Sequence, residues 1–396
     1  MNDPLAQSRS LFFQGIEHSE AGRNAEACAA FQSALGLAPG RPSILANLGI
    51  TLVRLSRCAE AIPILQQAEA ADPGKPDVLV SLGLAYQAEG EWHDAAATLT
   101  RALQLAPRQP DLWLACGLCQ LRSENVQAAL QAFDKAIELA PDFAPAWSER
   151  GSLLRELKQY DGAARCFEKA IELGADPELH AFYLAAVKKS VGAIETPRRY
   201  VESLFDDYAA EFEDHLVGNL KYQGYALLVQ PLLEPGLRYP VVLDLGCGTG
   251  LCGKLIHSVA EYVDGVDLSS AMLVRARQSG FYRNLVHAEI GEFLAVANLH
   301  ADLILAADVF GYVRDLQPIF QSIRRILNPG GCFAFTVELP QSSQDIELLP
   351  SLRHAHSEAH VRTLATSSGF KIRNMHQAAL RQDQTDPINA LYVYLE

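Results

Sequence analysis

The chain has 396 residues, 49% of them hydrophobic and 20% charged, which is more than one ordinary core holds and predicts two domains. Lys and Arg number 33 against 47 Asp and Glu, a net charge of −14 spread over both halves, and this excludes a protein built to sit on nucleic acid or anionic lipid. Residues 1–8 lack the basic-then-apolar pattern of a secretory signal, and no apolar run approaches the roughly 20 residues of a membrane span. A cytoplasmic protein is expected, with its eight cysteines as reduced core thiols, including Cys116 and Cys119, whose C-x-x-C lies inside a helical pattern with no second pair nearby. No metal-ligating set is recognised.

The first half repeats itself every 34 residues. Gly15, Gly49, Gly83, Gly117 and Gly151 keep that spacing, and so do Ala27, Ala61, Ala95, Ala129 and Ala163. Phe31, Leu65, Leu99, Phe133 and Phe167 hold one large apolar position, and Pro39, Pro73, Pro107 and Pro141 punctuate the units. Small residues where two helices approach, a large one filling the gap and Pro where a helix stops predict antiparallel helix pairs. The pattern resembles the tetratricopeptide repeat. Five repeats and a capping helix over residues 178–190 are expected to form an all-α solenoid, residues 1–190. In that family a concave groove falls on Phe12, Ala46, Val80, Leu114 and Ser148 and on Ile16, Ile50, Leu84, Leu118 and Ser152. These either pack neighbouring elements or take an unknown, apolar protein or peptide partner, but they lack the cations of a carboxylate clamp.

Residues 191–199 read as a linker, and a second domain is expected over residues 200–396. Val241 to Leu245 is an apolar strand running into Gly246, Gly248 and Gly250 and then a helical stretch, the first βα unit of a doubly wound sheet. A dinucleotide fingerprint would need its third glycine at position 251, which is Leu251, so pyrophosphate recognition is disfavoured. The next strand ends at Asp267, 21 residues past Gly246, where a carboxylate can accept both hydroxyls of a ribose. A third strand near Leu285 leads to Glu289, a fourth ends at Asp308, and residues 328–331, Asn-Pro-Gly-Gly, precede a fifth at Cys332 to Glu338. Two closing strands are expected at Phe370 to Ala378 and Ala390 to Leu395.

Asp244, Gly246, Gly248 and Gly250, with the acids and the Asn-Pro-Gly-Gly turn in register, resemble class I S-adenosylmethionine-dependent methyltransferases. The resemblance implies a Rossmann-like α/β domain with a seven-stranded sheet and helices on both faces. It places the cofactor, S-adenosyl-L-methionine, with S-adenosyl-L-homocysteine as product, on Asp244, Gly246, Cys247, Gly248, Thr249, Gly250, Asp267, Leu268, Met272, Glu289 and Asp308. Leu204, Phe205, Tyr208 and Phe212 share one helical stripe just before the sheet. In proteins resembling trans-aconitate and malonyl-carrier-protein methyltransferases such a helix covers the cofactor, which makes Tyr208 a candidate. Arg353, His354 and His356 read as a loop before an N-cap at Ser357, with Arg353 and His354 as substrate contacts and His356 as a base; Tyr312 is a further candidate at the crevice rim. The whole chain is similar to bacterial tetratricopeptide-containing methyltransferases. Three functions remain open: methylation of an oxygen or carboxylate of a small molecule, methylation of a polypeptide recruited by the repeats, or a scaffold that does not turn over.

Overall fold

The computed structural model of the chain describes residues 3–188, 194–209, 212, 221–383 and 386–396. It divides into two compact units, Met1–Ala175 and Asp176–Glu396.

In the first unit ten helices run as successive pairs among the described residues: α1 (Pro4–Glu20), α2 (Asn24–Leu37), α3 (Pro42–Arg54), α4 (Cys58–Ala71), α5 (Pro76–Ala88), α6 (Trp92–Leu105), α7 (Pro110–Arg122), α8 (Val126–Leu139), α9 (Ala144–Glu156) and α10 (Tyr160–Glu172). Proline both ends and starts them. Pro39, Pro73, Pro107 and Pro141 each lie two residues past a helix end, and Pro42, Pro76 and Pro110 open the next helix, where a missing N–H costs nothing. Within each pair a glycine lets a large side chain against the backbone. A Cβ placed on Gly15, Gly49, Gly83 or Gly117 would come within 2.5 Å of Phe31, Leu65, Leu99 or Phe133, all fully buried. Most groove positions are occupied by this packing: Phe12, Ile16, Ile50 and Val80 lie half-buried on one core and Leu114 and Leu118 on another, while Leu84 is exposed. Cys116 and Cys119 are buried free thiols in α7, and burial pushes the Cys119 thiol up to about 11.

The second unit begins earlier than expected. Helix α11 (Pro177–Lys188), read from sequence as the cap of the solenoid, belongs to it: Phe182 and Ala186 are buried with Leu352, beside Tyr200 and Ile194. Among the described residues the sheet has nine strands: β1 (Tyr239–Leu245), β2 (Ala260–Asp267), β3 (Asn284–His287), β4 (Ala301–Ala306), β5 (Leu327–Glu338), β6 (Ile346–Leu348), β7 (His354–His356), β8 (Ile372–Asp383) and β9 (Asp386–Leu395). β3, β2, β1, β4 and β5 are neighbours in that order and parallel, and β9 runs antiparallel between β5 and β8. These seven match the expected sheet. The additional pair is a hairpin of two three-residue strands, β6–β7, beside the end of β5. Alternation places the strand residues on two faces. Phe333 and Phe335 pack on one with Phe320 of α17 (Gln317–Ile326) and Val361 of α18 (Glu358–Ser367); Cys332 and Ala334 pack on the other with Leu228 of α13 (Gly224–Val229) and Ile256 of α14 (Leu251–Ile256).

The repeat packing has a direct test. Gly117→Ala should destabilise the first unit by about 1–3 kcal/mol although Ala is the better helix former, because the ring of Phe133 has nowhere to move. Urea unfolding should show part of that loss recovered in Gly117→Ala with Phe133→Leu, which vacates the space.

Candidate functional site

Strand order reverses at β1, which lies between β2 and β4, and the crevice at the strands' carboxyl ends is where open α/β sheets bind ligands. Three sequence-predicted acids are brought there. Asp244 lies in β1, Asp267 ends β2 and Asp308 follows β4.

The turn after β1 holds Gly246 and Gly248 at φ of 65° and 54°, a left-handed backbone that side-chain-bearing residues rarely adopt. A Cβ on Gly246 would also strike Val309. The N–H groups of Gly246 and Cys247 both donate to the Val266 carbonyl, at 2.8 and 3.1 Å, which ties the turn to β2. Asp267 completes the tie, accepting from Gly248 N at 2.8 Å through Oδ2 and from Ser269 N at 2.9 Å through Oδ1. Its carboxylate is thereby fixed in plane at the crevice, with burial holding it above the ordinary range. Asp244 is 1% exposed and accepts from the Tyr282 hydroxyl at 2.6 Å; burial, with the Asp267 charge adding to it, pushes its carboxyl up to about 7.

The other turn residues differ in what they offer. Cys247 is buried. Thr249 is also buried, and its hydroxyl has no hydrogen-bond partner among the described residues, whereas apart from the two adjoining residues no described atom lies within 4 Å of where a Cβ on Gly248 would stand. An orphaned hydroxyl next to open space, with two carboxylates at hand, fits a polar ligand laid along the turn. Met272 is buried in α15 (Ser270–Ser279), and the Leu268 carbonyl accepts from His287 Nε2 at 2.8 Å. Glu289 caps α16 (Ile290–Val296), accepting from Glu292 N at 2.7 Å.

Helix α12 (Arg198–Tyr208) reaches the loops that leave β2, β3 and β4. Asp206 accepts from Ser269 Oγ at 2.5 Å and from Ala271 N at 3.2 Å, so it caps α15 from outside that helix. The Phe205 ring meets Tyr312 edge-on at 5.3 Å, and Arg198 bonds Glu292 at 3.1 Å. Tyr208 ends the helix, and its side chain lies outside the described residues.

Asp308 takes a φ of 60°, and its N–H donates to Thr336 Oγ1 at 2.8 Å. Its carboxylate pairs with Arg353 and, at 3.1 Å, with Arg381; both guanidiniums also bond Glu338, Arg381 at 2.7 Å. All four side chains are largely buried. Arg353 lies 4.6 Å over the Tyr312 ring, so it is occupied by protein partners. His354 and His356, expected on a loop, stand on β7 at 1% and 0% exposure. Burial pushes them down to about 3 and about 4, so both are neutral at neutral pH, and His356 Nε2 donates to the Val313 carbonyl at 3.1 Å. The acids and glycines of the turn were legible in sequence, whereas Tyr282, Thr336, Glu338 and Arg381 carried no local signal.

The doubly wound sheet, the left-handed glycine turn and the acid at the end of β2 agree with a Rossmann-like methyltransferase fold. Residues 243–335 match the family described as "Methyltransferase domain", and residues 14–76, 80–144 and 144–176 match the tetratricopeptide repeat, so the chain carries both. It is similar to a malonyl-[acyl-carrier protein] O-methyltransferase of Pseudescherichia vulneris, 31% identical over 173 residues, 42% of this chain and 66% of that one. A protein of the same description from Legionella pneumophila is 34% identical over 126 residues, 30% of this chain and 43% of that one. A dimethylglycine N-methyltransferase of Parasynechococcus marenigrum is 27% identical over 150 residues, 36% of this chain and 51% of that one. The chain thus spans less than two thirds of the length of each. A solved structure of MamA protein is 24% identical with a TM-score of 0.40, covering 42% of this chain and 91% of that one.

The buried histidines set a pH dependence. Their folded pKa values lie below the unfolded value of about 6.5, so between about pH 6.5 and pH 4 the unfolded chain takes up protons the folded one refuses, and stability falls on acidification. Thermal unfolding from pH 7 to 4.5 should show a smaller loss in His354→Phe than in the unaltered protein.

Proposed function

We propose that the second unit transfers a methyl group from S-adenosylmethionine to a carboxylate oxygen, on a small molecule or a carrier-borne acyl chain, while the repeat unit makes contact with a protein partner. The observation that carries the cofactor assignment is the Asp267 carboxylate held between Gly248 N and Ser269 N beside the left-handed turn. When bound, the cofactor supplies an electrophilic methyl on a positively charged sulfur. Asp267 accepts the ribose hydroxyls, and Met272 and Leu268 flank the adenine. Thr249 and Asp244 take the amino-acid end. Phe205 and Tyr312, one on α12 and one after β4, close the crevice against water.

A carboxylate acceptor needs no base, because it is already ionised at neutral pH. That suits the β7 side of this crevice, where His354 and His356 are buried and neutral and Asp308 is taken up by two arginines. The relatives named as O-methyltransferases support the same acceptor class. Arg353 acts here by holding Asp308 and Tyr312 in place.

Two measurements test the reading. Asp267→Ala should weaken S-adenosylhomocysteine by about 2–3 kcal/mol in calorimetry, and unaltered affinity would remove the cofactor site. Purified protein given methyl-labelled cofactor and a panel of dicarboxylates and carboxyl-bearing thioesters should yield label released as methanol by mild alkali. Label that survives alkali would overturn the carboxylate acceptor.

A further inference from the structure

Tyr282 stands in the loop between α15 and β3, outside every motif that marks the site, yet it is surrounded by glycines. A Cβ on Gly253 would come 2.5 Å from its ring, one on Gly265 2.9 Å and one on Gly250 3.0 Å. Three elements therefore forgo a side chain around one ring: the end of the turn, α14 and β2. Its hydroxyl accepts from Gly253 N at 3.2 Å and donates to Asp244 Oδ2 at 2.6 Å, a short bond of the kind made to an ionised acceptor. A filler of that space would need no hydroxyl.

We infer, on the basis of the cofactor site proposed above, that Tyr282 is a positioning residue: it occupies Oδ2 of Asp244 and turns the carboxyl so that Oδ1 is available to the ammonium group of the cofactor's amino-acid end. The ionisable groups that face Asp244 are Tyr282 itself, Asp267 at the end of β2 and the thiols of Cys247 and Cys252 from the turn and α14. Burial and the Asp267 charge favour the protonated acid, and the Tyr282 hydrogen bond opposes them. Loss of the hydroxyl removes the only one of these influences that stabilises the carboxylate, so an ammonium ligand would meet a neutral acid over a wider pH range.

The test is calorimetry on the full chain between pH 6 and 8.5 with two ligands. S-adenosylhomocysteine carries the ammonium; methylthioadenosine has the same nucleoside without it. In the unaltered protein the affinity for S-adenosylhomocysteine should fall below about pH 7 while that for methylthioadenosine stays level. Tyr282→Phe should move that fall upward by about one pH unit, an affinity loss of about tenfold near pH 7 that recovers at pH 8.5. Its affinity for methylthioadenosine should be unchanged, which also shows the variant to be folded. Gly253→Ala, which displaces the ring but keeps its hydroxyl, should reproduce the shift. Coincident pH curves for Tyr282→Phe and the unaltered protein, or an equal loss of both ligands at every pH, would overturn the positioning role. If Asp267→Ala left both ligands bound as before, the site on which the inference rests would fall with it.

Discussion

Two elements approach only as closely as the Cβ atoms between them allow, and both units of this chain are arranged around places where that atom is missing. In the repeats a glycine on the first helix of each pair receives the ring or branched tip of a residue on the second, and this one contact recurs five times at the same spacing. In the sheet unit Gly246 lets the turn lie against Val309, and Gly250, Gly253 and Gly265 enclose Tyr282. The dense interior of each unit leaves no slack to accept a methyl group at these points.

The crevice depends equally on charge. Asp308, Glu338, Arg353 and Arg381 form a closed and neutral set in which each acid meets both bases. Such a set contributes little net stability, because desolvation offsets most of the attraction, but loss of one member strands another in the interior at about 3–5 kcal/mol. Its effect is geometric. Residues at the ends of β4 and β5, at the start of β7 and on β8 are held in one arrangement, and with Thr336 they keep Asp308 in a left-handed backbone that an Asp would otherwise leave.

The period of 34, the strand-turn-helix around Gly246 to Gly250 and the acid at Asp267 were readable because each is a local pattern or a fixed spacing. The remaining features are not local. Residues 350–356 contain Pro, Ser, Arg and two His, residue types that mark a surface loop, yet the segment is drawn inward by pairing with β6 and by Phe182 and Leu352. An apolar stripe on residues 177–188 announces a helix but not that the second unit covers it. Arg353 lies 45 residues from Asp308 and Arg381 43 from Glu338, separations at which no spacing rule applies. Tyr282 is legible only once β2, α14 and the turn are seen to meet around it.

Asp206 joins two segments that lie 63 residues apart in sequence. Its carboxylate caps the helix that follows Asp267, so α12 cannot lift from the crevice without leaving the Ser269 hydroxyl and the Ala271 amide to water. Asp206 is itself exposed, so water competes for both bonds, and the two together contribute about 1–3 kcal/mol. Withdrawal of α12 would therefore uncap α15 as well, so the position of one helix and the order of the other's first turn change together.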